Sequence, residues 1–347
     1  MFEKSFITDC EGPLTLNDNA FELSANFIED GGELFKILSL YDDYLADIVK
    51  KEGYKAGNTL KLILPFFVVE GLTNDDLIGF SKNNIYAVND SQFLLKFLKE
   101  AMNTYIVSTS YGQYIEAVSN YMDVPFENTY YTDVDIDCLE LNGEEIQKIN
   151  EFKDLILKNP EDYDLFDDIF FNQIPKMGIY EKIKEIEVVG GPGKKLAIDK
   201  IIQKDGISID EILYIGDSIT DVEPLDFARR NDGISISFNG NEYPLKVAEI
   251  AIVSPSAVTT AVIADIYAKH DRDKVLEFIN DYNISNDLEK LFNDYNIDDE
   301  IKNKFFSVFT SDYPLIQIIT DENYESILPV SKEMRNNIRG QDIGGLG

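Results

Sequence analysis

What most constrains this chain is where its short apolar runs stop. Ser5 to Thr8 has strand length and breaks into Asp9-Cys10-Glu11-Gly12-Pro13. Tyr105 to Ser110 ends in Ser-Thr-Ser, and Ile212 to Ile215 runs into Gly216-Asp217-Ser218-Ile219-Thr220-Asp221. Further strand-like runs cover Ile234 to Phe238 and Ile250 to Val253, with helical spacing from Lys194 to Lys204 and after Asp221. Such alternation of strand and helix predicts an α/β fold built on a parallel sheet. In such a sheet ligands bind beyond the carboxyl ends of the strands, which is where these polar clusters fall.

The rest of the chain reads as additions to that core. Apolar residues recur at helical spacing from Asn17 to about Met102, as in Leu34, Leu38, Tyr41, Leu45 and Ile48, so residues 16–100 are expected to form a helical cap. Residues 144–189 form a second, mostly helical insertion, broken at Pro160 and Pro175 and closed by the turn Gly190-Gly191-Pro192-Gly193. The core is expected in residues 1–15, 101–143 and 190–268. Within it, Thr129 to Leu141 alternates like a strand. Residues 269–347 read as a helical extension with a loose tail from Gly340. No internal repeat is seen.

Composition removes several classes of function. The 347 residues carry 31 Lys and Arg against 64 Asp and Glu, a net charge of −33, which repels nucleic-acid phosphates and anionic lipid. The five arginines, Arg229, Arg230, Arg272, Arg335 and Arg339, leave few donors for bidentate phosphate recognition. One histidine, His270, excludes two-His metal motifs, and two cysteines, Cys10 and Cys138, are too few for a zinc or iron–sulfur site and fit a reducing compartment. The longest apolar run, Leu62 to Val69, is far short of the ~18 residues that span a bilayer, and no signal-peptide pattern opens the chain. A cytoplasmic protein without membrane insertion or nucleic-acid partner is expected.

The clustered residue types suit phosphoryl transfer. Asp9 can attack phosphorus to give an aspartyl phosphate, and Glu11 can protonate the leaving oxygen and then activate water. Carboxylates crowded with a phosphate need compensating charge, which a divalent cation on Asp9, Glu11, Asp217 and Asp221 and the ammonium of Lys194 would supply. Ser108, Thr109 and the backbone at Gly12 can donate to the phosphoryl oxygens. Two registers stay open: Lys195 rivals Lys194, and Thr109 or Ser110 rivals Ser108.

In order and spacing, these four segments resemble the motifs of the haloacid dehalogenase (HAD) superfamily, on its phosphoserine-phosphatase-like branch. Ile106-Val107-Ser108, the spacing from Asp199 to Asp217 and Phe238-Asn239-Gly240-Asn241-Glu242 carry the branch resemblance. It covers roughly residues 1–15, 101–130 and 190–256. It implies a three-layer Rossmann-like core, Mg²⁺, an aspartyl-phosphate at Asp9 and a small phosphorylated metabolite as substrate, with the cap as a lid. Glu11 departs from the Asp most such phosphatases carry, which moves the acid–base carboxyl by about an ångström, a displacement that can cost ~10²-fold in rate. As a whole, the chain resembles an archaeal HAD-like family named energy-converting hydrogenase A subunit R, which implies association with a larger complex. That resemblance, with Glu11 and the long insertions, makes a non-catalytic or regulatory subunit one rival function, and a phosphotransferase passing the phosphoryl group from Asp9 to an acceptor alcohol is another.

Other signals read more plainly. Gly190 to Lys195 lacks P-loop spacing and has Lys195 where Ser or Thr must stand. Asp133, Asp135, Asp137 and Glu144 match calcium-loop positions, but Cys138 replaces the required glycine. Cys10 reads as core packing and His270 as a surface ring.

Overall fold

The computed structural model describes residues 2–346. Seven strands form one sheet: β1 (Ser5–Thr8), β2 (Asn103–Tyr111), β3 (Thr129–Thr132), β4 (Ile212–Gly216), β5 (Ile234–Phe238), β6 (Ile250–Val253) and β7 (Leu315–Ile318). Their order is β3-β2-β1-β4-β5-β6-β7, parallel except for β7. β1 sits inside the sheet, between β2 and β4, with Phe6 and Ile7 fully buried on opposite faces, one in each apolar layer. Helices cover both faces, giving a three-layer Rossmann-like α/β fold. Strand order reverses between β1 and β4, so a crevice opens beyond their carboxyl ends.

The cap enters between β1 and β2 through a narrow neck. Leu16 N–H donates to Tyr86 O at 2.7 Å and Val88 N–H to Leu14 O at 2.9 Å, so the outgoing and returning chains are stitched together. The two stretches that the sequence separates, 16–100 and 144–189, share one apolar core: Leu34, Leu38, Tyr41 and Phe67 from the first pack with Ile149, Phe152, Phe166 and Ile169 from the second. Tyr41 also donates to Asp167 at 2.5 Å. Neither amphipathic stretch covers its own apolar face, so each buries it on the other. The end of the first stretch belongs elsewhere: Leu94, Leu95 and Leu98, on helix Ser91–Leu98, pack in the core layer beside the sheet.

Three further expectations are corrected. β3 stops at Thr132 and a short 3₁₀ turn spans Ile136–Cys138, so the alternation to Leu141 is not one strand. The C-terminal extension is not helical throughout, because β7 adds antiparallel to β6 with Ile316 wholly buried. Nor is the tail loose. The C-terminal helix, Tyr324–Gly344, turns sharply at Gly340 (φ +79°), and Leu346 behind it is buried in the apolar core of the cap.

Candidate active site

The loop after β1 continues the sheet for one residue, Asp9 N–H donating to Ile215 O at 2.9 Å, and then turns at Gly12. Gly12 has φ +105°, and a Cβ there would lie 2.2 Å from Asp217 Cγ. Only glycine lets the two loops approach so closely. Cys10, between the two acids, points into the core.

Asp9, Asp217 and Asp221 converge in this crevice, each at most 5% exposed, with oxygens within 4.8 Å of one another. Lys194, which opens helix Pro192–Asp205, is wholly buried and donates to Asp9 Oδ2 at 2.6 Å and to Asp221 Oδ1 at 2.7 Å. Burial alone would lower its pKa, but Asp221 and Asp9 hold the ammonium above the ordinary lysine range. Its rival Lys195 faces outward and pairs with Asp199 at 2.6 Å.

Each carboxylate has its own setting. Asp221 accepts from Lys194 and Tyr214 Oη (2.7 Å) on one oxygen and from the N–H groups of Asp217 (3.0 Å) and Ser218 (3.1 Å) on the other. Burial opposes its charge, yet Lys194 and these donors hold its pKa below the usual range. Asp221 therefore orients the lysine and the loop. Asp9 accepts from Cys10 N–H at 2.6 Å as well as from Lys194. Burial pushes its pKa up, with Lys194 pulling the other way.

Glu11 stands outside the three-carboxylate cluster. Its Oε1 accepts from Asn19 N–H at 2.7 Å, at the start of helix Asn19–Phe27. Burial, reinforced by Asp18, pushes its pKa well up against hydrogen bonds from Asn19 and Ser110. Ser108, Thr109 and Ser110 all line the same cavity. Ser108 Oγ accepts from Ser110 N–H at 3.2 Å, and Thr109 Oγ1 is buried with no hydrogen-bond partner among the described residues.

Two arginines complete the site, and sequence reasoning missed their role. Arg335 and Arg339, one turn apart on the C-terminal helix, both donate to Asp217 Oδ2, Arg339 at 3.0 Å. Their signal was their rarity and their i, i+4 spacing; nothing local tied them to strands more than a hundred residues away. Tyr214 and Asp18 were missed as well.

The cavity among these groups holds about 110 Å³, room for a few waters. Asp42 and Asp43 of the cap form part of its wall. The three converging carboxylates are an all-oxygen donor set that fits a hard divalent cation, with Asp9 and Asp217 presenting oxygens and Asp221 behind them.

No protein-family model and no curated protein sequence matches the chain. Among solved structures, substrate-bound phosphoserine phosphatase matches with 13% identity and a TM-score of 0.48, over 74% of this chain and 95% of that one. The phospho-aspartyl intermediate analogue of phosphoserine phosphatase matches with 13% identity and a TM-score of 0.47, over 72% and 93%. The gene product AF1437 from Archaeoglobus fulgidus is similar from end to end, with 28% identity, a TM-score of 0.82 and 99% of each chain covered. The fold of this chain, its cap and C-terminal segment included, is the fold of that protein.

Proposed function

We propose that this protein is a HAD-type phosphoric monoester hydrolase, acting on a small phosphorylated metabolite in the cytoplasm with Mg²⁺. The observation that carries this reading is the convergence of Asp9, Lys194, Asp217 and Asp221 at the point where strand order reverses. Asp9 attacks phosphorus, the bond to the leaving oxygen breaks, and that oxygen takes the proton of Glu11. Water, deprotonated by Glu11, then attacks the aspartyl phosphate and releases inorganic phosphate. Lys194 holds Asp9 in line, while the Ser108 and Thr109 hydroxyls donate to the phosphoryl oxygens. A divalent cation on Asp9 and Asp217 would neutralise phosphoryl charge. The cap, whose Asp42 and Asp43 line the cavity, would act as a lid that limits water at the site.

The test is phosphate release from a panel of small phosphomonoesters, with Mg²⁺ or EDTA, by the wild type and Asp9→Asn. Cation-dependent release that falls by at least ~10³-fold in the variant supports the reading. Undiminished release from Asp9→Asn would falsify it.

A further inference from the structure

The C-terminal segment touches the core, the neck of the cap and the cap itself. Ser331 Oγ donates to Gly240 O at 2.6 Å, fixing the helix to the core beside Asp217. Arg335 donates to the backbone and side chain of Asp217, and its remaining donors reach Gly344 O and Leu346 O, both at 2.9 Å. Arg339 joins Asp217 to the neck of the cap through Leu16 O at 3.1 Å and Asn17 O at 2.5 Å. Beyond the turn at Gly340, Asp342 pairs with Lys36 of the cap at 2.6 Å and Leu346 enters the cap core.

We infer that this segment is a cation-gated latch. It clamps the cap onto the core by holding the Asp217 carboxylate, so a divalent cation and the latch compete for the charge of one carboxylate. Three features carry this. Among the described residues, Asp217 Oδ2 is the one acceptor that both guanidinium groups share, so losing it loosens both together. Asp9, Asp217 and Asp221 already pair with Lys194, Arg335 and Arg339, so a cation arriving among them without substrate is opposed by charges of its own sign. The cavity of about 110 Å³ is also well below the ~300–1,000 Å³ of ordinary ligand pockets, and Arg335, Arg339 and Leu346 of the segment are part of its wall, so loosening the segment enlarges the site. Two ligands that exclude each other weaken each other equally, so a weaker latch means tighter cation binding.

The inference rests on the cation assignment of the proposed function, but its test needs no substrate. Mg²⁺ affinity is measured by calorimetry, and amide exchange of residues 324–346 with and without Mg²⁺, for the wild type, Arg339→Gln and Asp342→Ala. The last variant loosens the latch from the cap side without touching the site. We expect Mg²⁺ to speed exchange of the segment in the wild type, and both variants to bind Mg²⁺ more tightly, Arg339→Gln by about tenfold. Equal or weaker affinity in both variants, exchange that ignores Mg²⁺, or no Mg²⁺ binding by any of the three overturns the latch. A protein that unlatches with Mg²⁺ yet hydrolyses no phosphoester sinks only the hydrolase reading. Cation-dependent hydrolysis with the segment protected throughout sinks only the latch.

Discussion

Asp43 shows how far the cap accepts unfavourable electrostatics next to the site. Burial, with Asp42, Asp47 and Glu242 around it, raises its pKa from the usual 3.8 to about 8. The folded state therefore keeps a proton that the unfolded chain releases above about pH 4, and stability falls as pH rises from there to about 8. Asp43→Asn removes that dependence. Its melting temperature should exceed the wild type's at pH 8.5, with the gap closing toward pH 4.5, and a gap that widens on acidification would contradict the assignment. The same scale shows what the sequence reveals. Asp9, Glu11, Lys194, Asp217 and Asp221 stand at the ends of strands or the start of a helix, where spacing along the chain becomes position in space. Arg335 and Arg339 sit mid-helix, far along the chain, and reach the crevice only through tertiary packing.

Among the elements, β7 was the hardest to read. Leu-Ile-Gln-Ile is four residues long in a helical neighbourhood, and its strand character comes from pairing with β6 rather than from its own pattern. It matters because it leads into the C-terminal helix through a short link, and so fixes where the arginines arrive. Ile316, wholly buried on β7, should cost about 2–5 kcal/mol when replaced by alanine. Urea unfolding measures this, and a loss below ~1 kcal/mol would mean that the strand is not docked as described. The cap offers the converse lesson. Its helices were legible one by one, but their union was not, because apolar faces show which residues need cover and not what covers them.

For the whole molecule, the net charge of −33 sets a background of self-repulsion that each local ion pair works against. Raising salt from 0.1 to 1 M shortens the screening length from ~10 to ~3 Å. Exposed repulsion is then screened while the buried Lys194 pairs are largely protected, so the melting temperature should rise with KCl. Scanning calorimetry across that range decides it; a falling melting temperature would mean that surface ion pairs outweigh the repulsion. Fold class was the most legible property at this scale, since alternation of strand and helix with polar strand ends leaves few other architectures.

The place of β1 between two strands that come later in the chain also bears on how the protein is made. Its partners are Asn103 to Ile106 on one side and Ile212 to Ile215 on the other, so during synthesis from the N-terminus the strand waits for both. At ~5–20 residues per second, roughly two hundred residues separate its emergence from its second neighbour, a delay of about 10–40 s. Through that interval Phe6 and Ile7 lack half their cover and are open to chaperones or to a neighbouring nascent chain. The guanidinium groups that hold Asp217 come later still, more than a hundred residues after β4. A ribosome that stalled just before them would leave a nearly finished sheet whose acidic crevice has lost two of its three cationic partners.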